Sequence, residues 1–322
     1  MAFRLKLVPE KTNIDFFRWQ WLTFGFSIFM IVASLGTVAV KGLNFGVDFL
    51  GGTTIRTEST TPLDISVYRD ALAPLDLGDV TITEVNDPGF REDQHVAQIR
   101  IGARDGEEAV TSDAILAAEA ALKAVDPAVV FAQVESVGPK VSGELIWKAV
   151  LAVFIGSAGI MVYIWMRFEW QMAVGTVSAM LHDVIVTLGI FSLFSLRFDL
   201  SIVAALLTIL GYSVNDTVVI FDRLRENLAK YKTMPLREMM NLTANETLSR
   251  TVMTATTTLI SLTVLIIWGG DVIRGFVFAM ILGVVLGTYS TLYMAKNVVL
   301  FLGVDRGDKP KKSSNEFADI DA

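Results

Sequence analysis

Six long apolar segments limit what this chain can fold into. An α-helix rises about 1.5 Å per residue and the hydrocarbon core of a bilayer is about 30 Å thick, so about 20 apolar residues are needed to cross it. The segments approach or exceed this length and carry few or no charged residues; they are residues 21–40, 149–166, 171–196, 200–221, 251–268 and 276–295. The sequence therefore predicts an α-helical polytopic membrane protein with six transmembrane helices.

The composition agrees with a membrane protein and excludes several classes of site. Hydrophobic residues make up 52% of the chain and charged residues 19%, whereas soluble domains carry about 25% charged residues. The net charge of -7 argues against nucleic-acid binding, which needs a basic surface. The absence of cysteine excludes disulfides and thiol catalysis, and two histidines, His95 and His182, are too few for a multi-histidine metal site. We therefore expect neither a metal nor a cofactor.

The distribution of lysine and arginine predicts the orientation in the membrane. Four basic residues precede the first segment, six lie between residues 223 and 250, and five follow the last segment. The short loops on the other side carry only Arg197 and Arg274. Because cytoplasmic loops carry the excess of basic residues, both termini are expected in the cytoplasm. A cleaved signal peptide is the alternative for the first segment, but its charge-free run is too long and shows no clear cleavage site.

Residues 41–143 are too polar to lie in lipid and are expected to form one small domain on the outer side. Short alternating runs predict four strands and two helical patterns lie between them, in the order 53–58, 64–73, 80–85, 96–101, 107–125 and 129–137. A turn is expected at residues 86–89. This β-α-β-β-α-β order predicts an α+β ferredoxin-like domain. It holds 8 basic and 17 acidic residues and so accounts for the acidity of the chain.

The rest of the chain completes the expected domain organisation. Residues 1–20 form a cytoplasmic N-terminal segment, residues 21–40 the first transmembrane helix, and residues 144–303 a membrane domain with helices two to six. Residues 304–322 are polar and are expected to be a disordered cytoplasmic tail. In the sixth segment small residues recur at a spacing of four, which favours close helix packing; they are Ala279, Gly283 and Gly287.

Asp216 is the strongest candidate for a functional residue inside the membrane. An ionisable residue at such a depth costs about 2.5–3.5 kcal/mol on insertion and is retained for a purpose. Asp216 shares a helical face with Thr208 and Tyr212, at a spacing of four, and Asn215 and Thr217 are its polar neighbours. The alternative is a carboxylate that only hydrogen-bonds to a neighbouring helix.

Arg250, at the start of the fifth segment, is the expected partner of Asp216. Hydroxyl residues continue the face of Arg250 along the helix at positions 254, 257, 258 and 261. An arginine side chain is long enough to extend inward and meet a carboxylate one or two turns deep. We therefore pair Asp216 with Arg250 as a hypothesis. An arginine that reaches outward to lipid phosphates is the alternative.

Asp183 lies near the middle of the third segment and is a second candidate. Thr176 and Thr187 lie on the same helical face. A hydrogen bond to another helix would explain this aspartate equally well. His182 is adjacent and is therefore expected to point elsewhere, so it is given no role.

The ionisable residues suit proton transfer better than catalysis. The chain has no His-Glu-x-x-His or Gly-x-Ser-x-Gly motif, which argues against an enzyme, and no Walker motif for ATP hydrolysis. Gly51-Gly52-Thr53 is interpreted as a turn into the first strand, because no Gly-Lys-Ser/Thr follows to bind phosphate. A movement that separates an aspartate from an arginine switches the aspartate between releasing and binding a proton.

Three segments resemble the SecD/SecF family of protein-export membrane subunits. Residues 42–53, Gly-Leu-Asn-Phe-Gly-Val-Asp-Phe-Leu-Gly-Gly-Thr, are similar to the signature that follows the first transmembrane helix, with Gly46, Asp48, Gly51 and Gly52 at its characteristic positions. Residues 211–217, continuing to the Asp-Arg-Leu-Arg-Glu-Asn run at 222–227, resemble the fourth helix. Ser249-Arg250-Thr251 matches the start of the fifth.

The resemblance implies a place in protein export, within the resistance-nodulation-division superfamily. It implies a bacterial inner-membrane subunit that pairs with SecD beside the SecYEG channel and uses the proton-motive force after the SecA motor has acted. On this basis Asp216 and Arg250 match the proton-relay pair, residues 41–143 are periplasmic, and the outer domain contacts preproteins or the partner. A twofold-related partner is expected because six helices are half of the usual twelve.

Two other functions stay open at this level. One is a proton-coupled exporter of lipids or small molecules with the same membrane architecture. The other is a structural scaffold in which the buried charges only lock helices together.

Overall fold

The computed structural model describes residues 8–9, 12–62, 64–85, 91, 93–102, 110–137 and 139–304. The first long helix, α1 (Gln20–Lys41), ends at Gly42, whose positive φ of 72° suits glycine. A two-residue strand, β1 (Asn44–Phe45), and a single helical turn, α2 (Val47–Leu50), then lead into a polar domain.

The polar domain is a four-stranded antiparallel sheet with two helices. Its elements are β2 (Gly52–Ser59), α3 (Ile65–Leu72), β3 (Val80–Val85), β4 (His95–Gly102), α4 (Ser112–Val125) and β5 (Val130–Val137), with the strands in the spatial order β3-β4-β2-β5. Alternate strand residues such as Ile55 and Ile99 are buried with Leu72 and Leu122 of the helices. The order of strands and helices is the one expected from the sequence, while the expected turn at 86–89 lies outside the described residues.

Side-chain hydrogen bonds fix the ends of both helices of this domain. Asp64 accepts from the backbone N–H of Ser66 at 2.9 Å before α3, and Thr111 accepts from that of Ala114 at 3.3 Å before α4. The predicted start of the second helix at residue 107 lies outside the described residues. Such caps satisfy backbone N–H groups that have no partner within the helix.

Asp126, directly after α4, joins three parts of the polar domain. Its carboxylate accepts hydrogen bonds from Tyr68 Oη and Thr61 Oγ1, each at 2.7 Å, and from the backbone N–H of Ala128 at 3.1 Å. Burial raises the pKa of Asp126, but the hydrogen bonds, including one from Ser59, together hold the pKa below its usual value. The ionised carboxylate therefore ties β2, α3 and β5 together.

Six helices and a short strand make up the rest of the described chain. They are α5 (Pro139–Arg167), α6 (Trp170–Leu193), β6 (Arg197–Phe198), α7 (Leu200–Lys230), α8 (Leu236–Trp268), α9 (Asp271–Ser290) and α10 (Lys296–Leu302), with the last two joined by a π-helical turn, Thr291–Ala295. Within the described residues, six helices are long and apolar enough to cross a bilayer, the sixth running continuously over Ile273–Leu302. The predicted number of transmembrane helices is confirmed, and the chain is a multi-pass membrane protein.

Helices α7 and α8 extend well beyond the apolar segments that predicted them. The fourth segment ends at residue 221 but α7 continues to Lys230, and the fifth begins at residue 251 but α8 begins at Leu236. The polar region between the two segments is thus a helical hairpin with only a short turn. Polar surface ends the lipid-embedded part of a helix without ending its backbone hydrogen bonds.

The membrane domain is built around α6, α7 and α9. These helices bury about half or more of their transmembrane residues, whereas α1, α5 and α8 are mostly exposed at the periphery. A Cβ atom at Gly283 of α9 would overlap the side chain of Ile209 on α7, and one at Gly287 would lie 3.3 Å from Ser213 Cβ. The small residues of the sixth segment therefore allow the close contact between α7 and α9, as predicted.

Candidate functional site in the membrane domain

Asp216 lies at the interface of α7 and α8. Its side chain is buried, and the groups of α8 that act on the carboxyl are the charge of Arg250 and the hydroxyl of Thr254. Asp216 Oδ2 is buried without a hydrogen-bond partner among the described residues. The structure therefore brings together the two residues that the sequence analysis paired, across one helix interface, and leaves one carboxylate oxygen free to take a further partner.

The surroundings of Asp216 are asymmetric. Arg250 is exposed on the surface of the chain, and so are Asn215 and Thr208 on α7, although both were expected near the aspartate. Tyr212, one turn before Asp216, buries a hydroxyl that has no hydrogen-bond partner within the described residues. One side of the site thus faces the bundle, and the other reaches the outer surface of this chain.

The hydroxyl groups of α8 follow the exposed face of that helix. Thr254, Thr257 and Ser261 donate to backbone carbonyls four residues earlier, at 3.1, 2.9 and 3.2 Å. Bonding of this kind satisfies a hydroxyl within its own helix and lets it lie at a membrane depth. The row predicted from the sequence is present: Thr257 and Ser261 are exposed on the isolated chain, and Thr254 is half-buried beside Asp216.

Asp183 is the centre of a second, fully buried polar cluster. Its Oδ2 atom accepts hydrogen bonds from Ser213 Oγ of α7 at 2.7 Å and from Ser290 Oγ of α9 at 2.9 Å. The carboxylate, with 0% of the residue exposed, therefore links the three central helices. Ser213 and Ser290 carry no sequence signal beyond being polar residues inside apolar segments, and the sequence analysis did not single them out.

The expectation that His182 points away from Asp183 is wrong. His182 Nδ1 lies 3.0 Å from Asp183 Oδ1, and both side chains are almost completely buried. Adjacent residues of an α-helix are only about 100° apart in direction, so a side chain as long as imidazole can fold back to its neighbour. His182 also lies beside Tyr289 of α9, with ring centroids 6.0 Å apart.

A hydroxyl pair links the surroundings of the two aspartates. Thr217, next to Asp216, lies 2.8 Å from Thr291 through their Oγ1 atoms and donates to the carbonyl of Ser213 at 3.1 Å. Thr291 begins the π-helical turn of the sixth transmembrane helix. Such turns are rare in proteins, and those that occur are often found at functional sites. Thr217, named from the sequence as a polar neighbour of Asp216, is thus buried between the surroundings of the two aspartates.

The signature after α1 forms a joint between the polar domain and the membrane helices. β1 pairs in parallel with β6, and Gly46 donates its N–H to the Phe198 carbonyl at 2.7 Å. A Cβ atom at Gly46 would lie 3.1 Å from Asp199 Cβ, which explains why glycine fits here. Asp48 Oδ2 accepts from the backbone N–H of Leu200 at the start of α7, at 3.0 Å.

The two glycines at the end of this signature turn the chain into the sheet. Gly51 has a φ of 74° and Gly52 a φ of 122°, a range that disfavours side chains. Arg100 of β4 donates to the Phe45 carbonyl at 3.0 Å and fastens the sheet to the joint. A cavity of about 600 Å³ lies beside it, between the sheet and the membrane helices, and is lined among others by Arg56, Glu135, Arg197, Asp199 and Arg274.

Lys296 is not a basic residue at the membrane surface, although the sequence analysis counted it there. Only 1% of it is exposed, and Nζ lies 4.4 Å from the ring centroid of Phe16 and 5.2 Å from that of Phe17. The segment that carries these rings is held on α8, where the Asn241 side chain accepts a hydrogen bond from the N–H of Phe16. The Asn245 side chain accepts from the N–H of Ile14 and donates to the carbonyl of Ile14. Residues 14–17 therefore cover the last transmembrane helix at Lys296.

Comparison with known proteins agrees with these features. The family model for "Protein export membrane protein SecD/SecF, C-terminal" matches residues 117–305, and that for the "SecD/SecF GG Motif" matches residues 37–62. A protein translocase subunit SecF of Cereibacter sphaeroides is 65% identical over 100% of both chains. One of Vibrio alginolyticus is 40% identical over 98% of both.

Solved structures show the same architecture. The crystal structure of SecDF from Thermus thermophilus, a translocon-associated membrane protein, superposes with a TM-score of 0.80 at 31% identity, and it covers 92% of this chain. SecDF in a super-membrane-facing form gives a TM-score of 0.67 at 32% identity. This chain spans 39% of either SecDF chain. By sequence identity over its full length, by both family models and by fold, the chain belongs to the SecF family of protein translocase subunits and has a role in Sec protein translocation.

Proposed function

We propose that this chain uses the proton gradient across the inner membrane to assist late steps of preprotein translocation. The observation that carries this proposal is Asp216, a buried carboxyl at the α7–α8 interface with Arg250 and Thr254 of the next helix acting on it. One of its oxygens has no hydrogen-bond partner among the described residues. A group in this position can take up and release a proton without disrupting a closed network.

The position of Arg250 on a separate helix explains how proton binding can move the protein. When α7 and α8 approach, the guanidinium favours the carboxylate, and when they separate, the carboxyl favours its proton. Proton binding and helix separation therefore promote each other, as linkage requires. One proton that crosses a potential of 100 mV supplies about 2.3 kcal/mol, enough to bias a conformational step.

The exposed face of α7 and α8 indicates where a partner covers the site. Small or polar residues recur on the outer face of α7 at positions 204, 208, 211 and 215, and a Cβ atom at Gly211 would meet nothing within 4 Å. Exposed Arg250 and Thr257 continue this surface on α8. Lipid is a poor solvent for such groups, whereas a second helix packs closely on small residues. We assign this face to SecD, which places the proton site between two related halves.

The similarity to SecDF supports a location for the complex beside the translocation channel. SecDF is described as translocon-associated and is one chain in which the part like this chain is 39%. We therefore infer that this chain and SecD act beside the SecYEG channel, on preproteins that SecA has already engaged. SecA contact would be indirect, since the proposed work lies on the outer side.

The polar domain is proposed to be periplasmic and ferredoxin-like. Its antiparallel sheet in the order β3-β4-β2-β5, with α3 and α4 on one side, agrees with that fold. Its other sheet face lines the cavity of about 600 Å³ with polar side chains such as Thr54, Gln98 and Gln133. An emerging polypeptide could make hydrogen bonds to this polar surface. Residues 41–143 would then be the domain, residues 144–303 the remaining membrane part, and residues 304–322 a cytoplasmic tail.

We propose that both termini lie in the cytoplasm. The basic residues of the helical hairpin formed by α7 and α8, which include Arg223 and Arg237, support this orientation under the positive-inside rule. The chain has no cysteine, so a single cysteine introduced at Asp93 can be labelled selectively. A membrane-impermeant maleimide should label it from the periplasm in spheroplasts, and labelling only from the cytoplasmic side would overturn the orientation.

The function can be tested by reconstitution. The chain is incorporated into proteoliposomes with SecYEG, with and without SecD, and completion of a preprotein already engaged by SecA is followed after ATP is removed. The proposal expects faster completion only when this chain, SecD and a proton gradient are all present. An equal rate after the gradient is collapsed would refute proton coupling. No effect on the preprotein under any condition would refute a role in late translocation and favour export of lipids or small molecules.

A further inference from the structure

His182 and Asp183 form a buried pair that the proposed relay does not use. His182 Nδ1 lies 3.0 Å from Asp183 Oδ1, and 1% of each side chain is exposed. The remaining carboxylate oxygen accepts from Ser213 and Ser290. The other imidazole nitrogen, Nε2, is buried without a hydrogen-bond partner among the described residues. Buried polar atoms are almost always paired, so an unpaired ring nitrogen beside a carboxylate calls for a functional explanation.

The charge of the pair depends on one proton. With a neutral imidazole and an ionised carboxylate the pair carries one negative charge. One added proton makes the pair neutral overall, whether it is on His182 Nδ1 or on Asp183 Oδ1. An uncompensated charge is costly in a dry interior, so a buried site tolerates the two forms of the pair differently.

The described side chains of other helices that lie beside the pair are two serines and a tyrosine. Ser213 and Ser290 are neutral, and no charged group of another helix acts on Asp183 among the described residues. The ionisable neighbour is Tyr289 of α9, which lies beside the imidazole. The ring of Tyr293, in the π-helical turn, packs on the ring of Tyr289 with 5.2 Å between the two centroids. Tyr289 Oη donates to the Thr23 carbonyl at 2.8 Å and accepts from Ser27 Oγ at 3.1 Å. The hydroxyl of Tyr289 is therefore engaged by hydrogen bonds to α1.

We infer that His182 and Asp183 form a second proton-binding site of the membrane domain, one that holds a single transferable proton between them. The step is proton transfer alone: hydronium in water that enters the site gives its proton to the pair and becomes water, and a water molecule later accepts the proton and becomes hydronium. No bond between heavier atoms changes. This inference rests on the proposed proton-driven function and adds a second proton-binding site to it. His182 positions the proton and shares it with Asp183. Asp183 makes the packing of the helix bundle depend on whether the proton is bound.

The serines explain how this proton acts on the structure. Hydrogen bonds to a carboxylate are about twice as strong as those to a neutral acceptor. An ionised Asp183 therefore draws α7 through Ser213 and α9 through Ser290 onto α6, and a protonated Asp183 loosens both contacts. Asp216 follows Ser213 by three residues, so the two proton sites meet α7 about 4.5 Å apart along its axis. The same part of α7 would respond to both.

Infrared spectroscopy of the purified full-length chain in lipid tests this site without the export machinery. Carboxyl absorption is recorded during a pH titration, and Asp183→Asn identifies the signal of this aspartate by its loss, while that of Asp216 persists. We expect His182→Asn to shift the midpoint of the Asp183 signal by about one pH unit or more, which is a tenfold change in proton affinity. The matched control is His95→Asn, at the other histidine, on β4 of the polar domain, and it should leave the midpoint unchanged.

Two results would overturn the inference. An Asp183 signal that is constant at every pH would mean that the aspartate is not a proton site, and an unchanged midpoint in His182→Asn would mean that the histidine does not share the proton. If Asp183→Asn fails to fold, Asp183→Glu identifies the signal by its altered frequency. Because the spectra require neither SecD nor a gradient, a negative result here is separate from the reconstitution test and would remove only the second site.

Discussion

We expect Asp216→Asn to abolish the gradient-driven part of translocation that we propose and to leave the chain folded. Asparagine has nearly the shape of aspartate and keeps an oxygen near Thr254, the hydroxyl that acts on the carboxyl. It cannot bind and release a proton. Loss of a group that transfers a proton typically lowers the rate by about 100-fold or more. The measurement is preprotein completion in proteoliposomes with SecD, with the gradient present and collapsed.

The matched control is Asp222→Asn on the same helix. Asp222 is about six residues further along α7, is partly exposed, and forms a surface ion pair with Arg167 at 3.1 Å. Exposed pairs of this kind contribute about 0–1 kcal/mol, so this variant should keep its dependence on the gradient. Gradient-driven translocation that survives in Asp216→Asn would show that the aspartate only packs helices. That result would favour the scaffold function.

The sequence predicted the Asp216 interface because helical periodicity specifies a face. A spacing of three or four residues places side chains on one side of a helix whatever the helix packs against, and an ionisable residue in an apolar segment stands out. Arg250 was identified by the same reasoning, since its hydroxyl neighbours mark the face of α8. The pairing of two such helices was a further hypothesis, and the structure brings them into contact.

The buried cluster around Asp183 could not be predicted in the same way. It depends on where α6 crosses α7 and α9, and periodicity within one helix contains no information on crossing points. Ser213 and Ser290 are distant in sequence and meet only because Gly283 and Gly287 let the helices approach. His182 was misjudged because the direction of a Cβ atom does not limit where a flexible side chain ends.

Hydropathy also misplaced the ends of the membrane helices and the role of one charge. It detects lipid-facing surface, so it marked the apolar parts of α7 and α8 and missed their polar helical extensions. Lys296 follows an apolar segment and therefore resembles a surface anchor. The structure buries it beneath Phe16 and Phe17, residues that lie about 280 positions earlier and have no pattern that would connect them with it.

We expect Gly189→Leu to separate α1 from α6 and to destabilise the whole bundle. A Cβ atom at Gly189 would overlap the side chain and Cα atom of Ser34, and a main-chain atom cannot rotate away. The crossing is further fixed by hydrogen bonds from Lys41 Nζ to the Leu193 carbonyl at 2.7 Å and from Ser192 Oγ to the Gly42 carbonyl at 2.6 Å, so the helices cannot slide past the clash. Overpacking of a core costs about 1–3 kcal/mol and occasionally more. We expect a loss of about 3 kcal/mol or more, measured by thermal unfolding in detergent.

The control for this substitution is Gly36→Leu on α1. Gly36 is exposed on the same helix pair, and a Cβ atom there would meet nothing within 4 Å. Leucine also favours a helix over glycine by about 0.5–1 kcal/mol, so this variant should melt at an equal or higher temperature. If Gly189→Leu were as stable as Gly36→Leu, the distance between α1 and α6 would have to be larger than it is in the structure. The joint at Gly46 and Asp48, which follows directly from α1, would then not hold the polar domain in a fixed place over the membrane helices.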